Sequence, residues 1–305
     1  MPISRSIFAA GRGNSWTPPA APSGDLGYGW QLDETNTGLA RLGIDGNALD
    51  AYTGPSVIPA GTTISLKKIT LSEIICYQGN ITIDRCLIKP TAASDRAGLI
   101  YGYDPDVGSG QLGNVTVQDC DIDGTDISGS ITLYRECAFR GAGTLLRNRI
   151  WSMGSGIAYF GTGAVTSGLI EHNYIYSLRG GGTPPDDSHN EAGTVRSFTG
   201  TSLVWRNNKL ICLTGHDSGA LFLQTYAGDI NNVSVEGNYF ETASWCLYLE
   251  QSYGNTYSNM SAVNNRFKQS GFGPIAEVGG PGFAVLSQNY FYNASNPPTY
   301  AGSSV

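Results

Sequence analysis

One phrase recurs along this chain: apolar, any, apolar, two residues, Asn or Cys, any, apolar. It reads Ile81-Ile83-Cys86-Ile88, then Val115-Val117-Cys120-Ile122. Six copies with asparagine follow, at Asn148, Asn173, Asn208, Asn238, Asn265 and Asn289. Successive copies lie between 24 and 35 residues apart. A period of that size marks a chain built from stacked units, each too small to close a core of its own. A second phrase sits between the copies. It reads AGLIYGY (97–103), SGSITLY (128–134), SGIAYFG (155–161), AGTVRSF (192–198), SGALFLQ (218–224), SWCLYLE (244–250) and GPIAEVG (273–279). A short third strand such as YIYS or YFET follows each Asn. Three short strands per repeat predict an all-β fold, a right-handed parallel β-helix of about eight coils. Equivalent residues would then stack about 4.8 Å apart. The Asn column becomes a hydrogen-bonded ladder inside the bends.

Composition agrees with many tight turns and few helices. Glycine numbers 41 of 305 residues and charged residues make up 14%. The net charge of −7 argues against nucleic acid, which needs a basic footprint. No apolar run has the length of a membrane span, so membrane insertion is not expected. Residues 1–10 lack the apolar core of a signal peptide, so either export follows another route or a leader has been removed. The six cysteines show no CxxC or zinc spacing, and no metal or cofactor is expected. Asp119-x-Asp121-x-Asp123-Gly124 imitates the start of a calcium loop, but its twelfth position is Ser130, and these aspartates read as solvated surface. The chain divides into an arm or linker (1–30), an N-terminal cap (31–70), the β-helix (71–292) and a polar tail (293–305).

Alternation along the second phrase sorts its residues by face. Ile100, Ala158, Val195, Leu221 and Leu247 point inward. Tyr101, Tyr159, Arg196, Phe222 and Tyr248 point outward, followed two residues on by Gln224 and Glu250. A row of exposed aromatics beside charged and amide groups suits a sugar chain, with stacking for the ring faces and polar groups for the hydroxyls. Two other readings stay open: a core covered by loops, and a subunit contact. Beside the row, His189-Asn190-Glu191 and His216-Asp217 precede adjacent strands. The repeat alignment puts Glu191 level with Asp217 and Asn190 level with His216, with Arg196 close by. The candidate catalytic set is therefore Glu191, Asp217, His189, His216 and Arg196. The candidate binding set is Tyr101, Tyr159, Phe222, Tyr248, Glu250 and Gln224. Paired carboxylates fit glycoside hydrolysis. His189 or Tyr159 accepting a proton beside an acid sugar fits β-elimination, with Arg196 neutralising the carboxylate. Contact without chemistry, and a plain solvated turn, remain alternatives.

The repeat over about 65–292 resembles the pectate-lyase-like β-helix superfamily. ETNTGLA…YTGPSVIPAGTTIS (34–65) and SHNEAG (188–193) resemble β-helix proteins of actinobacteria and their phages. The chain lacks the aspartate pair with its GHG of polygalacturonases and the vWiDH-like segment of pectate lyases. The resemblance implies a carbohydrate-binding or polysaccharide-cleaving protein of a phage tail, acting on cell-surface or extracellular polysaccharide as part of a virion or outside the cell. It implies homotrimeric assembly, as in tailspikes. A secreted lyase or glycoside hydrolase and a non-enzymatic structural spike are the alternatives.

Overall fold

The computed structural model describes residues 26–94, 96, 98–104, 111–128, 136–161, 165–183, 188–269 and 271–305. These form an eleven-stranded sheet, a sixteen-stranded sheet and a two-stranded ribbon. Pairing in the two large sheets is parallel, apart from the final strand, and joins residues about one repeat apart. Ile81 pairs with Val115, Leu203 with Val233, and Val233 with Met260. In the eleven-stranded sheet Ile122 pairs with Ile150 and Ile150 with Ile175.

The Asn column forms the expected ladder, buried throughout. The Nδ2 of Asn148 donates to Oδ1 of Asn173 at 2.9 Å, and Asn173, Asn208, Asn238 and Asn265 each donate to the next. Each Oδ1 also accepts the backbone N–H of the preceding rung, as Asn238 does from Asn208 at 2.8 Å. Cys120 and Cys86 continue the column: Cys120 N–H donates to Asn148 Oδ1, and Cys86 N–H points at Cys120 Sγ, 3.3 Å away. Inward side chains from both sheets, among them Ile83, Val117, Leu145, Ile170, Leu203, Val235 and Phe267, make one continuous core.

The organisation of the sheets corrects the sequence expectation. The expectation was a right-handed parallel β-helix of about eight coils, with the strands of the two phrases as distinct strands of each coil. Instead they belong to one sheet, and six of them close a ring: Cys137–Leu146, Ser155–Gly161, Asn190–Phe198, Ile230–Glu236, Ser202–Arg206 and Ser167–Glu171. The architecture is a closed six-stranded parallel barrel with a separate open sheet. Two local features close it. Cys137–Leu146 runs through a corner without breaking, so its first half pairs with Ser155–Gly161 and its second half with Ser167–Glu171. Gly141 and Gly143 allow that corner, with φ of 155° and 142°, where a β-carbon on Gly143 would meet the Val115 carbonyl oxygen at 2.0 Å. Across the barrel, Phe198 pairs with Ile230, and its N–H donates to Asp229 O at 2.8 Å.

The segment after residue 26 runs along the eleven-stranded sheet against the order of the repeats. Gly29 N–H donates to Gly237 O, Gly38 N–H to Arg147 O, and Leu39 N–H to Asp121 Oδ1. Asp119, Asp121 and Asp123 are buried, not solvated as their alternation suggested. Asp119 pairs with Arg41 and Arg147, Asp121 with Arg149, and Asp123 with Lys89. At the other end, Ala301–Ser304 pairs antiparallel with Tyr290–Tyr292 and covers the edge of the eleven-stranded sheet. Residues 1–25 of the expected arm, and 129–134 of the second-phrase copy SGSITLY, lie outside the described residues. Among the described residues no helix is long and apolar enough to cross a membrane.

Candidate functional site

The outer face of the sixteen-stranded sheet carries a lateral row set by strand register. It runs Tyr101, Arg140, Ala158, Thr194, Phe222, Tyr248 and Ala276. A cleft of about 560 Å³ opens over this row. Cys137, Arg140, Ser155, Ala158 and Phe160 line one end, and Phe222, Gln224, Tyr226 and Tyr253 the other. His189, Glu191, Thr194, Arg196 and Ser218 lie between.

The row differs from the expected one because the copies of the second phrase do not lie level at their glycines. Gly98 is level with Ser155 through Cys137, not with Gly156, and Gly219 pairs with Glu191, not with Gly193. A one-residue offset exchanges the two faces of a strand. Tyr159, paired with Val195, points into the core, fully buried, with its hydroxyl accepting the Gly143 N–H at 3.3 Å. Ala158 and Phe160 take the outer positions and form a small apolar floor with Cys137. The same misalignment separates the expected carboxylate pair. Glu191 lies opposite Gly219, and Asp217 lies opposite Asn190.

Asp217 is consumed by its own turn. One oxygen accepts from the Thr214 N–H and hydroxyl, the other from the Thr242 hydroxyl and the Ala243 N–H. His216 belongs to that turn: its N–H donates to Thr214 Oγ1, and its carbonyl accepts the Asn190 N–H. Neither lines the cleft. Glu191 does. Its carboxylate accepts from Arg196 at 3.1 Å, and burial pushes its pKa up, against the opposing pull of Arg196, His189 and Ser218. Arg196 also donates to Gln224 Oε1, and Gln224 donates to Glu250 Oε1 at 2.9 Å. Five expected residues, Glu191, Arg196, His189, Phe222 and Gln224, thus meet in the cleft. Tyr248 and Glu250 support it from the next strand, where Tyr248 stacks on Phe222 at 4.5 Å. Tyr101 is buried behind Arg140.

Arg140 is the principal residue that sequence reasoning missed. Its guanidinium sits 4.8 Å from the Phe160 ring centroid and 5.9 Å from that of Tyr101. Its Nε is buried with no hydrogen-bond partner. No carboxylate among the described residues forms an ion pair with it, whereas Arg196 has Glu191. A copy of the second phrase was expected at 128–134, but the strand carrying Arg140 is Cys137–Leu146. The signal available was CAFRGAG itself, an apolar–charged alternation ending in two glycines. Cys137 on the floor is inert as a nucleophile, since burial pushes its thiol up to about 12.

No family model matches this chain. No curated protein matches it. No solved structure matches it either. The closed barrel with its separate open sheet corrects the expected kinship with the pectate-lyase-like superfamily and its phage tailspikes together with the fold. Reading the chain as a carbohydrate-binding or polysaccharide-cleaving spike rested on that architecture and goes with it, as do its alternatives of secreted lyase, hydrolase and structural spike.

Proposed function

We propose that the cleft binds a small organic anion, with the acid group on Arg140. The observation that carries this reading is a guanidinium that lines the cleft with its Nε buried and unpartnered, and that forms no ion pair with a carboxylate among the described residues. A buried donor left without a partner is costly, and donating a charge-assisted hydrogen bond to an anion offsets that cost. The charges lining the cleft point the same way. Among the described residues that line the cleft, the guanidiniums of Arg140 and Arg196 stand against one carboxylate, that of Glu191, which Arg196 already engages. The Phe160 ring lies 4.8 Å from the Arg140 guanidinium, whose planar group presents its N–H donors as a fork suited to two carboxylate oxygens. A volume of about 560 Å³ falls in the range of small-molecule sites.

Titration calorimetry with hexanoate, and with hexylamine of similar shape, tests this. The acid should bind and the amine should not. Arg140→Gln should weaken the acid by about tenfold or more, the loss of one charge-assisted pair. Equal binding of acid and amine, or an unchanged affinity in Arg140→Gln, would overturn the assignment.

A further inference from the structure

Two tyrosines stand at the mouth of the cleft, on turns that follow successive strands. Tyr226 is 53% exposed and Tyr253 67% exposed. Their rings meet edge to face, with centroids 4.9 Å apart. Both line the cleft, at the end away from Arg140. The inner aromatics are already covered. Phe160 carries Tyr103 and Arg140 against its ring, each at 4.8 Å. Phe222 carries Tyr248 at 4.5 Å and Arg196 at 5.0 Å. Broad aromatic surface open to a ligand is thus concentrated at Tyr226 and Tyr253, and the cationic group short of a partner is at the opposite end.

Resting on the anion reading above, we propose that the ligand is elongated, with its acid on Arg140 and an unsaturated or aromatic ring against Tyr226 and Tyr253. Register sets the lateral part of the span. Arg140 lies three strands from Asp217–Gln224, the strand that leads into the Tyr226 turn, through Ala158 and Thr194. At about 4.8 Å per strand those two strands are roughly 14 Å apart, and the Arg140 and Tyr226 side chains reach across part of that distance. A short flexible spacer between acid and ring covers the remainder. Thr194 and the Phe222 ring lie beneath the spacer, flanked by Glu191, Arg196 and Ser218.

Calorimetry with 4-phenylbutanoate and hexanoate, on the wild type and the double variant Tyr226→Ala/Tyr253→Ala, separates the ring from the acid. The ring-bearing acid should bind about tenfold tighter than hexanoate, a gain of the size that aromatic stacking with its buried area supplies. The double variant should erase that advantage and leave hexanoate unchanged. Both tyrosines are exposed, and circular dichroism with thermal unfolding checks that the variant stays folded. Equal affinities for the two acids in the wild type would overturn the ring assignment and leave the anion site standing. So would a double variant that still prefers the ring. If 4-phenylbutylamine binds as tightly as 4-phenylbutanoate, the anion reading itself fails, and this inference with it.

Discussion

Asn208 has little of its side chain to spare. Its Nδ2 donates to Ile170 O and Asn238 Oδ1, and its Oδ1 accepts from both the backbone and the side chain of Asn173. Asn208→Ala removes the donors and strands the Asn173 N–H groups in a dry interior. Urea unfolding should show a loss of about 3 kcal/mol, from more than one buried donor left unsatisfied. Glu136 makes a prediction in pH. One of its oxygens accepts the Ser94 N–H at 2.9 Å, and the other is buried without a partner. Burial first, with Glu73 adding to it, pushes its carboxyl up to about 7 from an ordinary 4.5. The folded state therefore holds this proton more tightly than the unfolded chain. Its stabilising contribution is full below about 4.5 and is lost as pH rises through about 7. Glu136→Gln should flatten the melting temperature over that window relative to the wild type. An unchanged slope would show that the carboxyl does not titrate there.

Among elements, the strand Cys137–Leu146 shows how far a repeat can be read and where reading stops. The Asn phrase was legible because its spacing survives turns of different length: each copy ends at a bend held by Asn or, in the first two, Cys. The outer row was only partly legible. Copies of the second phrase do not lie level at their glycines, as Gly219 opposite Glu191 shows, and the offset leaves no mark in the apolar pattern. The joining of the two phrases into one sheet depends on a corner at Gly141 and Gly143 that resembles any other glycine pair in the sequence. Gly143→Ala should cost about 3 kcal/mol or more in denaturant unfolding, since backbone strain and a clash with Val115 O add together. The N-terminal segment makes a separate prediction. Asp119 is held between Arg41 and Arg147, at 3.1 and 2.7 Å. Asp119→Ala leaves two guanidiniums facing a buried gap. Amide exchange over residues 38–43 should speed up, with a stability loss of about 3 kcal/mol.

At the scale of the molecule, the sixteen-stranded sheet does for the cleft what no single strand could. Arg140, Ser155, Glu191, Thr194, Ser218 and Phe222 come from four successive strands of one sheet, placed side by side by pairing alone. The polar cluster around Glu191 and Arg196 was visible in the sequence because both lie on one strand, five residues apart. Arg140 was not, because its neighbours are reached only through the sheet, and the expected copy of its phrase lay several residues too early. The account stands or falls on where an anion goes. A crystal structure with 4-phenylbutanoate bound measures that directly. It should place a carboxylate oxygen within hydrogen-bonding distance, about 3 Å, of the Arg140 guanidinium. A carboxylate seated elsewhere, with Arg140 still without a partner, would contradict it.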